Sequence, residues 1–243
     1  MEGYGPETYG DRIADVYDGF YDYQLDTEGA VETLAELAGA GPVLELAIGT
    51  GRLALPLAER GLEVHGIDAS ERMVAKLREK PGGDRIPVTM GDFADVGVEG
   101  SYALVFVGFN TFFALGSQDD QVRCFANAAA RLADGGLFVL EAFFPDLARF
   151  DRGQRTQATR VDLERVELEA TRNDPVAQRI VSQHVVLTEA GTKLYPTSLR
   201  YAFPSELDLM ARLVGLRLYE RWGGWRRVPF AASSPRHVSV YGR

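Results

Sequence analysis

The residues Gly49-Thr50-Gly51-Arg52-Leu53-Ala54 fit the spacing G-x-G-x-x-G/A, and an acidic residue, Asp68, follows Gly49 by 19 positions. A gap of roughly 20 is what a dinucleotide site requires. Glycines at these positions allow positive φ and let a ligand approach the bare backbone. A helix starting near Arg52 would aim its first N–H groups at the same point. A carboxylate at the tip of the next strand can accept both hydroxyls of a ribose. The chemistry written here is that of holding an adenosine. A tight strand–helix turn would also explain two glycines, so other residues must decide.

Glu45 stands inside the apolar run "VLELAI". A carboxylate there is costly unless it is paired or hydrogen-bonded. It can take backbone N–H groups of the loop or face a cationic group. It would repel a diphosphate and suit a ligand carrying an ammonium and a sulfonium. Gly91-Asp92-Phe93 supplies a second carboxylate, able to accept an adenine amino group, beside a ring that can pack on the base. A turn cap is the competing role for Asp92.

These residues need a scaffold that brings strand ends together. Val43–Ile48, Leu62–Ile67, Ile86–Met90, Tyr102–Val107 and Leu137–Ala142 read as buried strands. They alternate with helical patterns at Arg52–Arg60, Ser70–Lys80 (Ser70 as N-cap) and Asp119–Leu132. Thr27–Ala38 is a further amphipathic helix, ended by Gly39-Ala40-Gly41-Pro42. Such alternation calls for a parallel sheet with helices on both faces and right-handed connections. After Pro145 the pattern changes. Thr156–Thr171, Val176–Thr188 and Lys193–Phe203 alternate with period two and read as three antiparallel strands joined by hairpins. Pro204–Val214 returns to helix, and Leu216–Trp222 and His237–Tyr241 close the chain as an antiparallel pair of strands at the sheet edge.

With those residues in view, "VLELAIGTGRLALPLAERG", "VHGIDASERMVAKLRE", "MGDFADV" and "ARLADGGLFVLEAF" resemble the class I S-adenosylmethionine-dependent methyltransferases. Ala47 replaces the first glycine of that family's E-x-G-x-G-x-G, a mild change if the position keeps ordinary strand dihedrals. The resemblance covers residues 40–142 well and the ends more loosely. It implies an α/β fold: a Rossmann-like, doubly wound sheet of about seven strands with an antiparallel last strand, plus an inserted three-stranded antiparallel sheet. It implies S-adenosyl-L-methionine as cofactor, held by Glu45, Ala47, Gly49, Thr50, Gly51, Arg52, Asp68, Ala69, Met73, Gly91, Asp92 and Phe93, with Phe109 and Asn110 at the methionyl end. The N-terminal "YGDRIADVYDGFYD" is similar to the opening helix of actinobacterial small-molecule methyltransferases, including amino-sugar N-methyltransferases, which puts Tyr9, Tyr17 and Tyr21 over the cofactor. Tyr17 and Tyr21 serve equally well as core aromatics of an amphipathic helix.

The organisation expected is one methyltransferase domain over 1–243: a helical lid (1–39), a cofactor-binding core (40–150), an antiparallel insertion (151–203) and a closing helix with two strands (204–243). The acceptor is expected to be a small molecule, a secondary metabolite, with N-methylation ahead of O- or C-methylation. Glu141, Phe143 and Phe144 should border its pocket, with Phe113, Tyr195, Arg200 and Trp222 as further candidates; Arg200 serves equally as an ion-pair residue. No catalytic residue is assigned, since no His–Asp pair, metal triad or nucleophile elbow stands out. His65 and His237 fall in predicted strands as buried, satisfied histidines, whereas His184, on the inserted sheet, can face a pocket.

An NAD-dependent oxidoreductase shares the loop pattern, but Glu45, Gly91-Asp92-Phe93 and the lack of a Tyr-x-x-x-Lys pair count against it. A non-catalytic S-adenosylmethionine-binding protein is the third reading. The net charge of −9 and pI near 4.9 speak against nucleic acid or an anionic membrane as partner. The single cysteine, Cys124, rules out an intrachain disulfide framework and reads as a small buried apolar residue. No apolar N-terminal region or membrane-length run is present, so a cytoplasmic protein is expected. The inserted sheet leaves edges that want cover, which a homodimer would supply.

Overall fold

The computed structural model describes residues 1, 3–21, 26–95 and 97–243, apart from the side chain of residue 21. The main sheet runs in the order β10-β11-β5-β4-β1-β2-β3, with β1 Val43–Leu46, β2 Val64–Asp68, β3 Val88–Met90, β4 Tyr102–Val107, β5 Leu132–Phe143, β10 Arg217–Trp222 and β11 Arg236–Gly242. β1 pairs in parallel with β2 and β4, and β11 slots antiparallel between β5 and β10. All four residues of β1 are buried, as a strand covered on both faces must be.

Strand alternation sorts the core into two layers. Leu44 and Leu46 point toward α6 (Gln118–Arg131) and α7 (Pro204–Leu213), where Cys124, Phe125, Leu207 and Met210 lie. Val43 points the other way, toward α3 (Thr27–Ala38) and α4 (Ala54–Glu59), packing among Leu34 and Leu57. Glu45 shares the face of Val43, so it lies beneath the first turn of α4. Cys124 is fully buried, and burial raises its thiol pKa.

The insertion departs from expectation in having four strands: β6 Gln154–Val161, β7 Arg165–Asp174, β8 Arg179–Thr188 and β9 Gly191–Arg200, all antiparallel. What reads as one strand over Thr156–Thr171 is two. The chain turns at Asp162-Leu163-Glu164, closed by Asp162 N–H donating to the Arg165 carbonyl at 2.8 Å. No glycine or proline marks that turn. The N-terminal stretch is likewise two short helices, α1 Thr8–Ile13 and α2 Tyr17–Tyr21, in place of one. Its Ile13 and Phe20 pack with Val186 and Tyr195 of the inserted sheet. α5 (Glu71–Arg78) follows β2, its start capped by Ser70 Oγ accepting from Met73 N–H. Among the described residues no helix is long and apolar enough to cross a membrane.

Candidate active site

The C-terminal ends of β1 to β5 open into one cavity of about 690 Å3, where open α/β sheets bind ligands. Its volume lies within the roughly 300–1,000 Å3 of small-molecule sites. The turn after β1 has positive φ at Ala47 (59°), Gly49 (57°) and Gly51 (81°). The expectation that Ala47 keeps strand dihedrals is thus corrected: the loop doubles back at once, and Ala47 adopts a left-handed backbone that costs an L-residue about 1–2 kcal/mol. Gly51 is needed from behind. A Cβ there would stand 2.3 Å from Leu77 Cδ1, so Gly51 shapes the loop without lining the cavity. α4 begins at Ala54 rather than Arg52, leaving Thr50 and Arg52 in the loop and on the cavity wall.

Asp68 is the clasp of this loop. Its Oδ2 accepts from Gly49 N–H at 2.7 Å and its Oδ1 from Ser70 N–H at 2.8 Å. A carboxylate has about four acceptor positions, so it keeps acceptor capacity for a ligand beside these backbone amides. Burial raises its pKa, and the backbone amides of Ser70, Gly49 and Ala69 oppose that rise. Glu45 is more deeply buried. Burial pushes its pKa up to about 8, against the pull of Arg52 and an amide hydrogen bond from Ala54. Its Oε2 has no hydrogen-bond partner among the described residues, yet the side chain borders the cavity. A buried, orphaned acceptor at a cavity wall calls for a donor or cation from the ligand. Asp92 Oδ1 accepts from Ala94 N–H at 2.9 Å, the capping role, while Asp92 and Phe93 also line the cavity. Gly91 lies outside it.

The N-terminal segment closes over this half. Tyr9 and Tyr17 line the cavity; the Tyr21 side chain lies outside the described residues. The segment is held by acids: Ser70 Oγ donates to Asp11 at 2.6 Å, Thr50 Oγ1 to Asp18 at 2.6 Å, and Arg72 and Lys80 pair with Asp15 and Asp18 at 2.6 and 2.7 Å. Gly10 fits against Ser70, where a Cβ would come within 2.6 Å.

The opposite wall is the inserted sheet, and most of it was not anticipated. Glu169, Ser182, His184, Thr197 and Ser198 all border the cavity. His184 Nε2 lies 3.0 Å from Glu167 Oε2, and Arg165 Nε lies 2.7 Å from the other oxygen of Glu167. This His–Glu pair was missed because its partners sit on different strands and are not opposite in register: His184 faces Glu169, and Glu167 faces Val186. The other histidines are structural. His65 meets Thr89 Oγ1 at 3.0 Å and the Tyr102 hydroxyl at 3.2 Å. His237 is fully buried and meets Ser239 Oγ at 2.9 Å. Burial, with help from Arg221, pushes the His237 pKa down to about 3.

Ala69, Met73, Phe109, Asn110 and Phe143 reach the cavity as expected. Phe109 and Asn110 have positive φ (49° and 63°), and Phe109 N–H donates to Glu141 Oε2 at 2.8 Å. Glu141 therefore supports the loop after β4 and does not line the cavity. Phe113 is buried in the core, and Phe144 packs on Phe203 and Phe230. Tyr195 packs edge-on against Phe20 in a neighbouring crevice. Arg200 is a buried ion-pair residue, 2.7 Å from Glu206. Trp222 belongs to the α3–α4 core layer, its indole N–H donating to Glu220. In these five places the side chain is taken up by packing or, for Arg200, by an ion pair, and does not reach the cavity. At the mouth stand Arg149 and Arg236, the latter 3.7 Å from Glu141.

Residues 43–136 match the model of a methyltransferase domain. The chain is similar to the CcbJ methyltransferase of Streptomyces caelestis, with 44% identity, 98% of each chain covered and a TM-score of 0.91. It is 28% identical over 204 residues to a cypemycin N-terminal methyltransferase from Streptomyces sp, covering 83% of this chain and 82% of the relative. CalS10, an amino pentose methyltransferase from Micromonospora echinaspora solved with S-adenosylmethionine bound, shares the fold at 22% identity, 93% and 95% coverage and a TM-score of 0.68. The site fits that cofactor: a bare glycine loop, a carboxylate at the ribose position and an orphaned buried acceptor that would meet the cationic methionyl end. The chain belongs to the S-adenosylmethionine-dependent methyltransferases, and S-adenosylmethionine is its cofactor.

Proposed function

We propose that the enzyme N-methylates a small secondary metabolite bearing a basic amine. The observation that carries this is the composition of the wall facing the glycine loop, where Glu169 and the His184–Glu167 pair stand among the hydroxyls of Ser182, Thr197 and Ser198. Carboxylates beside hydroxyls suit a cationic amine on a hydroxyl-rich skeleton. Arg149 and Arg236 at the mouth suit a carbonyl-rich or anionic remainder. The names of the relatives, an N-terminal methyltransferase and an amino pentose methyltransferase, point the same way.

Bound S-adenosylmethionine would supply an electrophilic methyl group. Glu45, Asp68 and the amides of the glycine loop would hold its two ends. Tyr9 and Tyr17 would close over it and exclude water, so that residues 1–39 act as a lid and 151–203 as the acceptor-binding insertion. Much of the rate would come from holding the acceptor in line. A hydroxyl acceptor is the second reading, favoured by the His–Glu pair, because a hydroxyl depends on a base more than an amine does. Competition between matched amino and hydroxyl acceptors, read by mass spectrometry, decides between them. Methyl gain on the amines is expected; gain confined to the hydroxyls sinks the amine reading.

A further inference from the structure

We infer that His184, held by Glu167, takes the proton that an acceptor ammonium must lose before its nitrogen can be methylated. This rests on the amine reading above. An ammonium has no lone pair, so N-methylation near neutral pH requires a proton acceptor or a pre-existing free amine. His184 is a cavity residue whose side chain is 18% exposed, and Glu167 behind it is 6% exposed. The pair is therefore partly shielded from water yet open to a ligand.

With the Nε2 hydrogen given to the Glu167 carboxylate, the lone pair is on Nδ1. The carboxylate fixes that tautomer and stabilises the imidazolium formed when Nδ1 is protonated, the logic of a carboxylate-oriented base. The other titratable and charged groups around the ring are Glu169 and Arg165 on β7, Arg160 of β6 at 3.9 Å from Glu167, and Tyr195 on β9. Tyr4, Tyr9 and Tyr17 come from the N-terminal segment that packs against the inserted sheet, and all three line the cavity. Phe20 packs edge-on against the imidazole at 4.3 Å and limits its rotation. Glu169 lies opposite His184 in register, where it can attract the ammonium toward Nδ1.

The step balances. The acceptor nitrogen gives its proton to His184 Nδ1, its freed pair forms the N–C bond, and the C–S bond breaks with its electrons left on sulfur. The imidazolium then releases the proton to solvent.

The test uses His184→Asn and Glu167→Gln in the full chain, with the best amine found in the acceptor competition. His184→Asn is expected to lower kcat at neutral pH by about 10²-fold, to recover at high pH where the free amine is abundant, and to leave S-adenosylhomocysteine affinity unchanged. Glu167→Gln should move the same acid limb of the pH profile by less. A His184→Asn enzyme with the wild-type rate and pH profile overturns the proton role and leaves the amine reading standing. Methyl gain on hydroxyls alone removes that reading first. An independent measurement needs no acceptor: imidazole-nitrogen NMR of the histidine-labelled protein with S-adenosylhomocysteine bound. The resonance missing from His184→Asn should report a neutral ring protonated on Nε2. A proton on Nδ1 overturns the proposal. Unchanged His65 and His237 resonances would show that the variant is folded.

Discussion

The two walls of the cavity are built by different means. The glycine-loop wall is made by backbone: left-handed turns at Ala47, Gly49 and Gly51, and a carboxylate spent on backbone amides. The inserted-sheet wall is made by side chains standing alternately on a pleated surface, with Glu169, Ser182 and His184 facing in. Backbone shape demands particular residue types at fixed offsets. A sheet face demands only a polar side chain at every second position, and many sequences satisfy it. The first wall is thus fixed in residue type, whereas the second can be re-lettered while the fold stands.

If that contrast holds, damage to the first wall should be structural as well as functional. Gly51→Ala should have the largest effect, because its Cβ would strike Leu77 at 2.3 Å in a backbone of positive φ. Loss of at least about 2 kcal/mol in stability is expected, together with loss of measurable S-adenosylhomocysteine binding. Thermal unfolding and calorimetry would check both, and a variant that binds normally would break the comparison.

Next comes Glu45. Its carboxyl pKa is raised to about 8 in the ligand-free protein. Between the ordinary carboxyl value and about 8 the folded chain holds a proton that the unfolded chain has lost. Stability contributed by the protonated group is therefore fully present at low pH and fades as pH rises through that window. Glu45→Gln should flatten the fall in Tm from pH 5 to 8, gaining about 3 °C at the upper end, while weakening S-adenosylmethionine binding. Parallel Tm curves for the two proteins would contradict this.

The smallest effect sharpens the contrast from the other side. Ala47→Gly should raise Tm by about 1–3 °C with activity kept, since glycine tolerates the left-handed backbone that alanine adopts at a cost. An unchanged or lower Tm in a differential scan would mean the loop carries no strain there.

What could be read in the sequence follows the same division. Asp68, Asp92 and the glycines stood out because strand-end turns leave a fixed spacing, and Glu45 because a carboxylate inside an apolar strand run needs a partner. So did Tyr9 and Tyr17, through resemblance. The insertion was read one strand short because Asp162-Leu163-Glu164 turns without glycine or proline. The Glu167–His184 pair stayed hidden for a separate reason: its partners lie on neighbouring strands and are not opposite in register. Tyr195, Arg200 and Trp222 were named for chemistry their types could do, but each points into packing. Gly51 and Gly91 belonged to the motif and yet do not touch the cavity, since motif residues can shape a loop from behind.

The most direct test of the division of labour is a side-by-side calorimetric titration of S-adenosylhomocysteine into the wild-type protein, Asp68→Ala and His184→Asn. Asp68→Ala removes the acceptor of the buried loop amides and should weaken binding by about 100-fold, whereas His184→Asn should bind like the wild type. Equal weakening in both variants would mean that the two walls act as one and would contradict the account.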